Sequence, residues 1–563
     1  MAFLVSPGIQ VQEQDLTNVI PAVSTSIGGY VGEFTWGPAE QIVTVTSENN
    51  MLSIFGKPDA SRAQSFLTAA SFLKYGQNLK VVRAVATNSS NAVNTGSSTV
   101  LIKNNDTFQA STANFTFAAA YPGEYGNAIT VAVVNSLSTT GSSSVVYADF
   151  IAPTSNSGAF AASSQFAYSG TSMAADEIHV LIVDDDGRLS GTAGTILEKW
   201  TGLSVTPGSK KADGTNNYYR DVLNHYSSYV YAGTGSVSTT TSSGLVYALG
   251  SSAGSSGSSG TISSGSCTTA LAFLADAETI DVNLVFQGSD LGTTSLSATE
   301  QALQTLANTR KDCIAFISAP VDQVSQATSI ASKLSAVTTK FSGATHDSYS
   351  VFDCTPLYVY NKYQDNYIWI PASGHMAGLC ANADSVADAW WSPAGYNRGN
   401  LKDVTKLGFN PDQASRDTLY QASINPIVTF PGQGTLLYGD KTAQIKPSAF
   451  DHINVRRLFI VLEKAIATAA KYQLFEFNDQ FTQAMFRNMT EPYLRDIKGR
   501  RGITDFQVVC DSSNNTPDIV DTNRFVASIY IKPARSINYM TLNFIATRTG
   551  VSFSEVAGAS QNA

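Results

Sequence analysis

The chain has 563 residues, room for about three to five domains. Hydrophobic residues make up 43% and aromatic ones 10%, which supplies a sizeable core and excludes a disordered chain. Charged residues are only 14%, below the roughly 25% of an ordinary globular chain, and a net charge of −9 excludes the clustered basic surface of a general nucleic-acid binder. So little charge on so long a chain implies either a surface largely covered by partners or a low working concentration, and the first reading is preferred.

No run of about 20 apolar residues occurs, so no membrane-spanning helix is expected. Met1–Gly8 has no basic stretch and no full apolar region, so no secretory signal is expected either. The cysteines Cys267, Cys313, Cys354, Cys380 and Cys510 are scattered and never spaced C-x-x-C. They read as small core residues in a reducing compartment, not as a zinc site or disulfide framework.

The first element is Ile9–Glu13, where apolar and polar residues alternate as in a strand with one buried face. Its backbone must pair somewhere: with a distant sheet of the same chain, or with a neighbouring subunit by strand addition. Ile27–Phe34 reads as a strand with close backbone approach at its glycines, Ala63–Tyr75 as a helix and Leu79–Val85 as a buried strand. From Asn88 to Ser172 small polar residues dominate, with short alternating runs at Ile129–Val134 and Val145–Phe150, which reads as a β-rich surface domain. Glu177–Val183 is a further strand before the Asp185-Asp186-Gly187 turn. In Gly233–Ser266 about three-quarters of the residues are Gly, Ser or Thr, a linker or loop composition.

Next, helices at Leu271–Ala275, Thr299–Thr309 and Val324–Leu334 alternate with strands at Thr279–Phe286 and Cys313–Ser318. That order implies a parallel α/β layer. Tyr367–Ile370 is a strand. Asn454–Tyr472 is an amphipathic helix, with Val455, Phe459, Leu462, Ile466 and Ala469 at helical steps, and Phe481–Leu494 is a second helix. Strands follow at Phe506–Cys510, Phe525–Lys532 and Tyr539–Ala546. In the last of these Met540, Leu542, Phe544 and Ala546 share one face, mirroring the lone strand at the other end.

Signs of catalysis are weak. Gly250–Gly254 matches a nucleophile elbow only inside low-complexity sequence. Asp184-Asp185-Asp186-Gly187 lacks the flanking acids of a calcium loop and reads as an acidic turn, with weak cation binding left open. Ser373-Gly374-His375 puts a hydroxyl near an imidazole in sequence, but a triad is spatial and needs a third group. No phosphate-binding lysine loop occurs, and Gly432-Gln433-Gly434 lacks the third glycine of a dinucleotide loop. Lys498–Gly502 is the best basic cluster and reads as a solvated turn or a site for an acidic protein patch. No catalytic residue, metal or cofactor is expected; the residues describe a large, partner-covered structural protein with strand-like ends.

The opening Ser6–Glu13, with Val31-Gly32-Glu33-Phe34-Thr35-Trp36-Gly37-Pro38, resembles the start of contractile tail sheath proteins of long-tailed bacteriophages. Phe72–Asn78 and Val81–Val85 are similar to the stretch that follows there, with Gln77 in place of a glycine. Pro371–Gly378, Asp384 and Trp390–Gly395 resemble the family's later run. Ile424–Ile427, Phe430–Gly434, Tyr438–Thr442, Ile453–Leu458 and Phe475–Asp479 follow in the family order. Tyr438-Gly439-Asp440 departs from the family's Trp-Gly-Ala-Arg and is taken as a packing detail.

The resemblance implies a mixed α/β, multi-domain fold whose core comes from both chain ends, with β-rich and α/β domains inserted and extended terminal arms. The expected divisions are a donated arm 1–24, a first core part 25–87, a protruding β-rich domain 88–176, an inserted α/β domain 177–355, a second core part 356–535 and a C-terminal strand and arm 536–563. It further implies hexameric rings stacked around a tail tube in the virion, assembled in the host cytoplasm. The implied partners are other copies, the tube protein, and baseplate and tail terminator proteins. No nucleic-acid binding or membrane insertion is implied. Ile9, Val11, Glu13, Met540, Leu542 and Phe544 are the expected arm contacts. Arg456, Arg457, Glu463, Lys464 and Lys471 are candidates for contact with tube or ring neighbour. Competing readings are the sheath of a phage-tail-like particle or secretion apparatus, a surface adhesin or fibre, and an α/β hydrolase using Ser373 or His375.

Overall fold

A computed structural model of the chain describes residues 24–95, 99–134, 177–211, 213–237, 245–250, 254–289, 295–538 and 540. Its centre is a seven-stranded sheet. β1 (Gly28–Gly32) lies between β3 (Leu79–Arg83) and β10 (Leu284–Phe286), parallel to both. β2 (Ile42–Val45) closes one edge antiparallel to β3. Beyond β10 come β11 (Ile314–Ile317), β12 (Ser350–Asp353) and β16 (Ile424–Asn425), all parallel.

Parallel strands covered on both faces need continuous apolar runs, and Leu-Val-Phe of β10 and Ile-Ala-Phe-Ile of β11 are buried throughout. On one face lie α2 (Ala63–Leu73) and α9 (Ser373–Val386), packed together. On the other lie α5 (Ser264–Leu271) and α6 (Ala298–Arg310). The glycines of β1 permit this close stacking. A Cβ on Gly28 would sit 2.7 Å from the Phe72 ring of α2, and one on Gly29 would sit 2.6 Å from Val282 on the opposite face.

The sheet corrects the expected domain boundaries. β10, β11 and β12 were assigned to an insert at 177–355, yet they continue the sheet begun by β1 and β3. A parallel strand must be hydrogen-bonded by a neighbour, and here the neighbour is some 250 residues away in sequence. The inserted unit is instead the stretch between β3 and α5. It holds β4 (Phe117–Ala119) paired with β8 (Val230–Ala232), and an antiparallel sheet ordered β7 (Thr195–Ser204), β6 (Glu177–Asp184), β5 (Ile129–Val134), β9 (Leu245–Ala248). With α3 (Asn105–Gln109) and α4 (Tyr219–Tyr226), these strands enclose a second core around Phe117, Val131, Ile182 and Leu223. The Gly/Ser-rich stretch is therefore not a plain linker. It supplies β9, and Ser258 exchanges backbone hydrogen bonds with Ser90.

Arg83 at the end of β3 joins the two units. It is fully enclosed, and its guanidinium donates to the carbonyls of Phe34 (3.1 Å), Gly37 (2.6 Å) and Pro122 (2.7 Å). Burial pulls its pKa down to about 9.

The remaining elements flank this frame. α1 (Glu48–Phe55) follows β2. The expected helix 324–334 is two helices, α7 (Val321–Gln326) and α8 (Ile330–Ser342), because Ser329 caps the second by accepting from the Ser332 amide. β13 (Leu357–Asn361), β14 (Asn366–Ile370) and β15 (Val404–Leu407) form a three-stranded antiparallel sheet. α10 (Gln413–Gln421) precedes β16, and β17 (Ile427–Phe430) pairs with β18 (Gly434–Leu437). The last layer is α11 (Ile453–Ala470), α12 (Gln480–Gly499) and β19 (Ile503–Val509), then α13 (Pro517–Asp521) and β20 (Ser528–Pro533). Leu458, Leu462, Leu494 and Ile497 share a small core with Trp390 there. The expected strands at Ile9–Glu13 and Val145–Phe150 lie outside the described residues, as does nearly all of Tyr539–Ala546.

Arg83→Met leaves the three carbonyls without their donor and is expected to lower unfolding stability by about 3 kcal/mol or more in urea titrations. A loss below about 1 kcal/mol would contradict a joining role for this side chain.

Candidate functional site

The motifs that suggested chemistry are occupied by the fold itself. Asp184 is buried and accepts from the amides of Gly187 (3.1 Å), Leu189 (2.9 Å) and Ser190 (2.7 Å) and from the Ser190 hydroxyl (2.8 Å), so it closes its own loop. Asp185 accepts from Thr130, and Asp186 pairs with Arg188 at 2.7 Å. Gly432 and Gly434 carry positive φ in the β17–β18 turn. In the basic cluster Lys498 pairs with Asp505 and Arg500 with Asp388, while Arg500 and Arg501 lie over Trp390 and Trp391.

Ser373 and His375 are both enclosed in α9 but serve different neighbours. Ser373 donates to the Gln287 carbonyl (2.9 Å), whereas His375 Nδ1 lies 3.1 Å from the Tyr75 hydroxyl. Burial pushes the imidazole down to about 3, so the ring is neutral. The cysteines are buried thiols. Burial raises Cys267, Cys313, Cys354 and Cys380 to about 12, far from nucleophilic.

The polar geometry that matters lies at the start of α11. The helix forms where the apolar periodicity places it, but its first turns are buried on every side. Arg456 and Arg457, expected as candidates for tube or ring contact, are instead buried and bonded within their own chain. Arg457 Nη2 grips both Asp384 oxygens of α9 (2.7 and 2.6 Å) and the Thr25 carbonyl (3.2 Å), and Nη1 donates to the Cys380 carbonyl (3.1 Å). The Thr25 hydroxyl donates to Asp384 as well (2.7 Å). Burial alone would lower the Arg457 pKa, but Asp384 overrides it and raises it. Arg456 donates to the Ser348 (2.7 Å) and Tyr349 (3.2 Å) hydroxyls and stacks on the Phe450 ring at 4.0 Å. Glu463 and Lys471 are exposed, and Lys464 pairs with Asp281.

The root of the C-terminal segment is held at the same helix end. Asp440 accepts from Ser392 (2.9 Å), Ser536 (3.0 Å) and Asn538 (3.2 Å). The Asn538 amide also lies 2.9 Å from His452 Nε2 and donates to the Tyr420 hydroxyl at 2.9 Å. His452 stands at the N-cap position of α11 and Arg457 lies five residues on, about 7.5 Å along the axis. Thr25 and Asn538, near the first and last described residues, are thus both tied to the first turns of α11. Asp440 is the residue that sequence reasoning missed. The signal was its departure from the family's alanine, taken in the sequence as a packing detail.

Of the expected arm contacts, Met540 is exposed and outside any strand, while Ile9, Val11, Glu13, Leu542 and Phe544 lie outside the described residues. β19 and β20 form a two-stranded antiparallel ladder backed by α12, and neither outer edge is paired among the described residues.

Comparison with known proteins decides the family. Residues 25–84 match the tail sheath protein Gp18 domain III N-terminal region, 265–443 the phage tail sheath protein central domain and 446–547 the phage tail sheath C-terminal domain. The tail sheath protein of Vibrio phage KVP40 is 32% identical over 99% of this chain and all of its own length. That of Enterobacteria phage T4 is 31% identical over 99% of both. The chain belongs to the phage tail sheath family. Among solved structures, a sheath tail protein from Listeria innocua superposes with a TM-score of 0.53 at 13% identity, over 91% of this chain and 96% of its own. One from Desulfitobacterium hafniense gives 0.52 at 13% identity, over 94% and 100%. These two share the mixed α/β, multi-domain sheath fold. The matched segments 25–84 and 265–443 hold every strand of the seven-stranded sheet, and the second core, apart from Trp36, falls between them. As a phage tail sheath protein the chain is a structural component of a phage tail, and its buried Ser373 and His375 serve packing.

The neutral burial of His375 gives a pH signature. In the unfolded chain the ring binds a proton near pH 6.5, in the folded chain only near 3. The stability this group contributes is therefore full above about pH 6.5 and is lost as pH falls towards 3, at about 1.4 kcal/mol per pH unit. His375→Gln is expected to remove that slope from urea-denaturation stabilities measured between pH 6.5 and 4, and an unchanged slope would contradict the assignment.

Proposed function

We propose that this chain polymerises as stacked hexameric rings around a phage tail tube, and that contraction of the resulting sheath drives the tube through the host envelope during genome delivery. The observation that carries this reading is that Thr25 and Asn538, near the first and last described residues, are both bonded at one end of α11, with a β19–β20 ladder whose outer edges are unpaired among the described residues. An isolated two-stranded ladder is marginal in water and gains from added strands. The expected strand faces Ile9/Val11 and Met540/Leu542/Phe544 suit addition to that ladder in neighbouring copies, with Glu13 closing the first.

Backbone ladders give a mechanical linkage. Their hydrogen bonds survive rigid-body rotation of the subunit bodies as long as the arm roots can turn. Contraction then needs only a modest gain of interface per subunit, about a few kcal/mol, summed over many copies. The unit between β3 and α5 projects outward in this reading, and Glu463, Lys464 and Lys471 face the tube or a ring neighbour. Baseplate and terminator proteins would cap the ends of the stack in the virion, after assembly in the host cytoplasm. The anti-feeding prophage helical sheath in its contracted state shares the fold (TM-score 0.50, 14% identity, 97% of this chain and 100% of its own), which supports a contractile lattice. Sequence identity above 30% to phage tail sheaths favours the phage tail over an injection particle.

Deletion of residues 1–15 is expected to leave a folded monomer, by circular dichroism, that no longer forms cylinders in negative-stain images. Cylinders of normal length after that deletion would overturn the arm linkage.

A further inference from the structure

Two exposed aromatic features lie in different parts of the chain. The first is a platform on the outer face of the β13–β14–β15 sheet. Leu357, Val359 and Ile370 point into the core, so Tyr358, Tyr360, Tyr367 and Trp369 point out. Cross-strand pairing sets them in two rows: Tyr358 opposite Trp369 (centroids 4.7 Å) and Tyr360 opposite Tyr367 (5.2 Å), with Tyr358 also 5.5 Å from Tyr367. Lys406 of β15 extends the first row, opposite Tyr358 and 6.0 Å from the Trp369 ring. Tyr360 and Tyr367 remain about half exposed.

The second is the connection between α11 and α12. Phe475 and Phe477 stand in solvent, and Glu476 lies between them. The backbone holding them is fixed: the Glu476 amide donates to Gln473, the Asp479 amide to Phe477, and the Asn478 side chain to the Arg524 carbonyl at 2.8 Å. Phe475 itself has φ +73°, a left-handed conformation that a bulky residue rarely adopts. Two rings held outward by an ordered loop form a preorganised knob, at low ordering entropy on binding.

We infer that the Phe475–Phe477 knob of one copy docks on the Tyr358/Tyr360/Tyr367/Trp369 platform of the next, with Glu476 meeting Lys406. This rests on the polymer reading above and names a contact additional to the arms. Three observations select a second copy as occupant. The rings on both features suit edge-to-face packing on one another. Neither Glu476 nor Lys406 makes an ion pair among the described residues, and their charges are opposite. Knob and platform are different patches, so their contact is heterologous and propagates from copy to copy, as a sheath requires.

The test is a charge swap in the full chain. Lys406→Glu and Glu476→Lys are each expected to raise the minimum concentration for cylinder formation about tenfold, and the double variant to restore it to within about threefold. Circular dichroism verifies that all variants fold. A double variant no better than the worse single one overturns the pairing, as do single variants that assemble like wild type while the arm deletion still abolishes assembly. Single variants that assemble normally but fail to retain the tail tube would overturn it and assign the knob to the tube. A wild-type chain that never assembles overturns the polymer reading and this contact together.

Discussion

Arg457 is a cation enclosed by protein, and its position depends on Asp384 being there to meet it. Removing two charges from water is expensive, and such a pair adds little net stability compared with an apolar replacement. Its effect here is geometric. One guanidinium holds the first described strand's approach at Thr25, the C-terminal half of α9 at Cys380 and Asp384, and the second turn of α11. α9 packs on α2, and α2 on β1, so the clamp ties the C-terminal layer to the central sheet.

The clamp sits at the same helix end as the Asp440 cluster, so Thr25 and Asn538 are held at one end of α11 although more than 500 residues separate them. The body is stiff where it needs to be. Parallel strands are buried on both faces, Arg83 locks the second core to the first, and glycines in β1 let α2 and the Val282 segment close on the sheet. Rigid bodies joined by backbone ladders are what a lattice needs to change pitch without losing connection.

Periodicity made α11, α12, β5 and β11 legible, because each shows its apolar pattern within a single element. Strand neighbours were not legible. Nothing in Gly28–Gly32 says that its partners lie at 79–83 and 284–286, so the insert was placed too late in the chain. Arg456 and Arg457 were expected as tube or ring contacts because charge on an amphipathic helix usually faces outward. The structure buries the whole run from Ile453 to Leu458, where Arg457 is admitted by Asp384 and Arg456 by the Ser348 and Tyr349 hydroxyls and the Phe450 ring, partners remote in sequence. Asp440 escaped because its partners Ser392, Ser536 and Asn538 are remote in sequence. The Gly/Ser-rich stretch misled through composition: small residues there permit close backbone approach to residues 90–94 instead of marking a tether.

The most direct measurement is a cryo-electron microscopy map of the assembled polymer at a resolution that traces main chain. The account predicts that residues before Thr25 and after Asn538 run onto adjacent copies and extend their β19–β20 ladders. Both extremities folding back onto their own molecule inside an intact cylinder would contradict it.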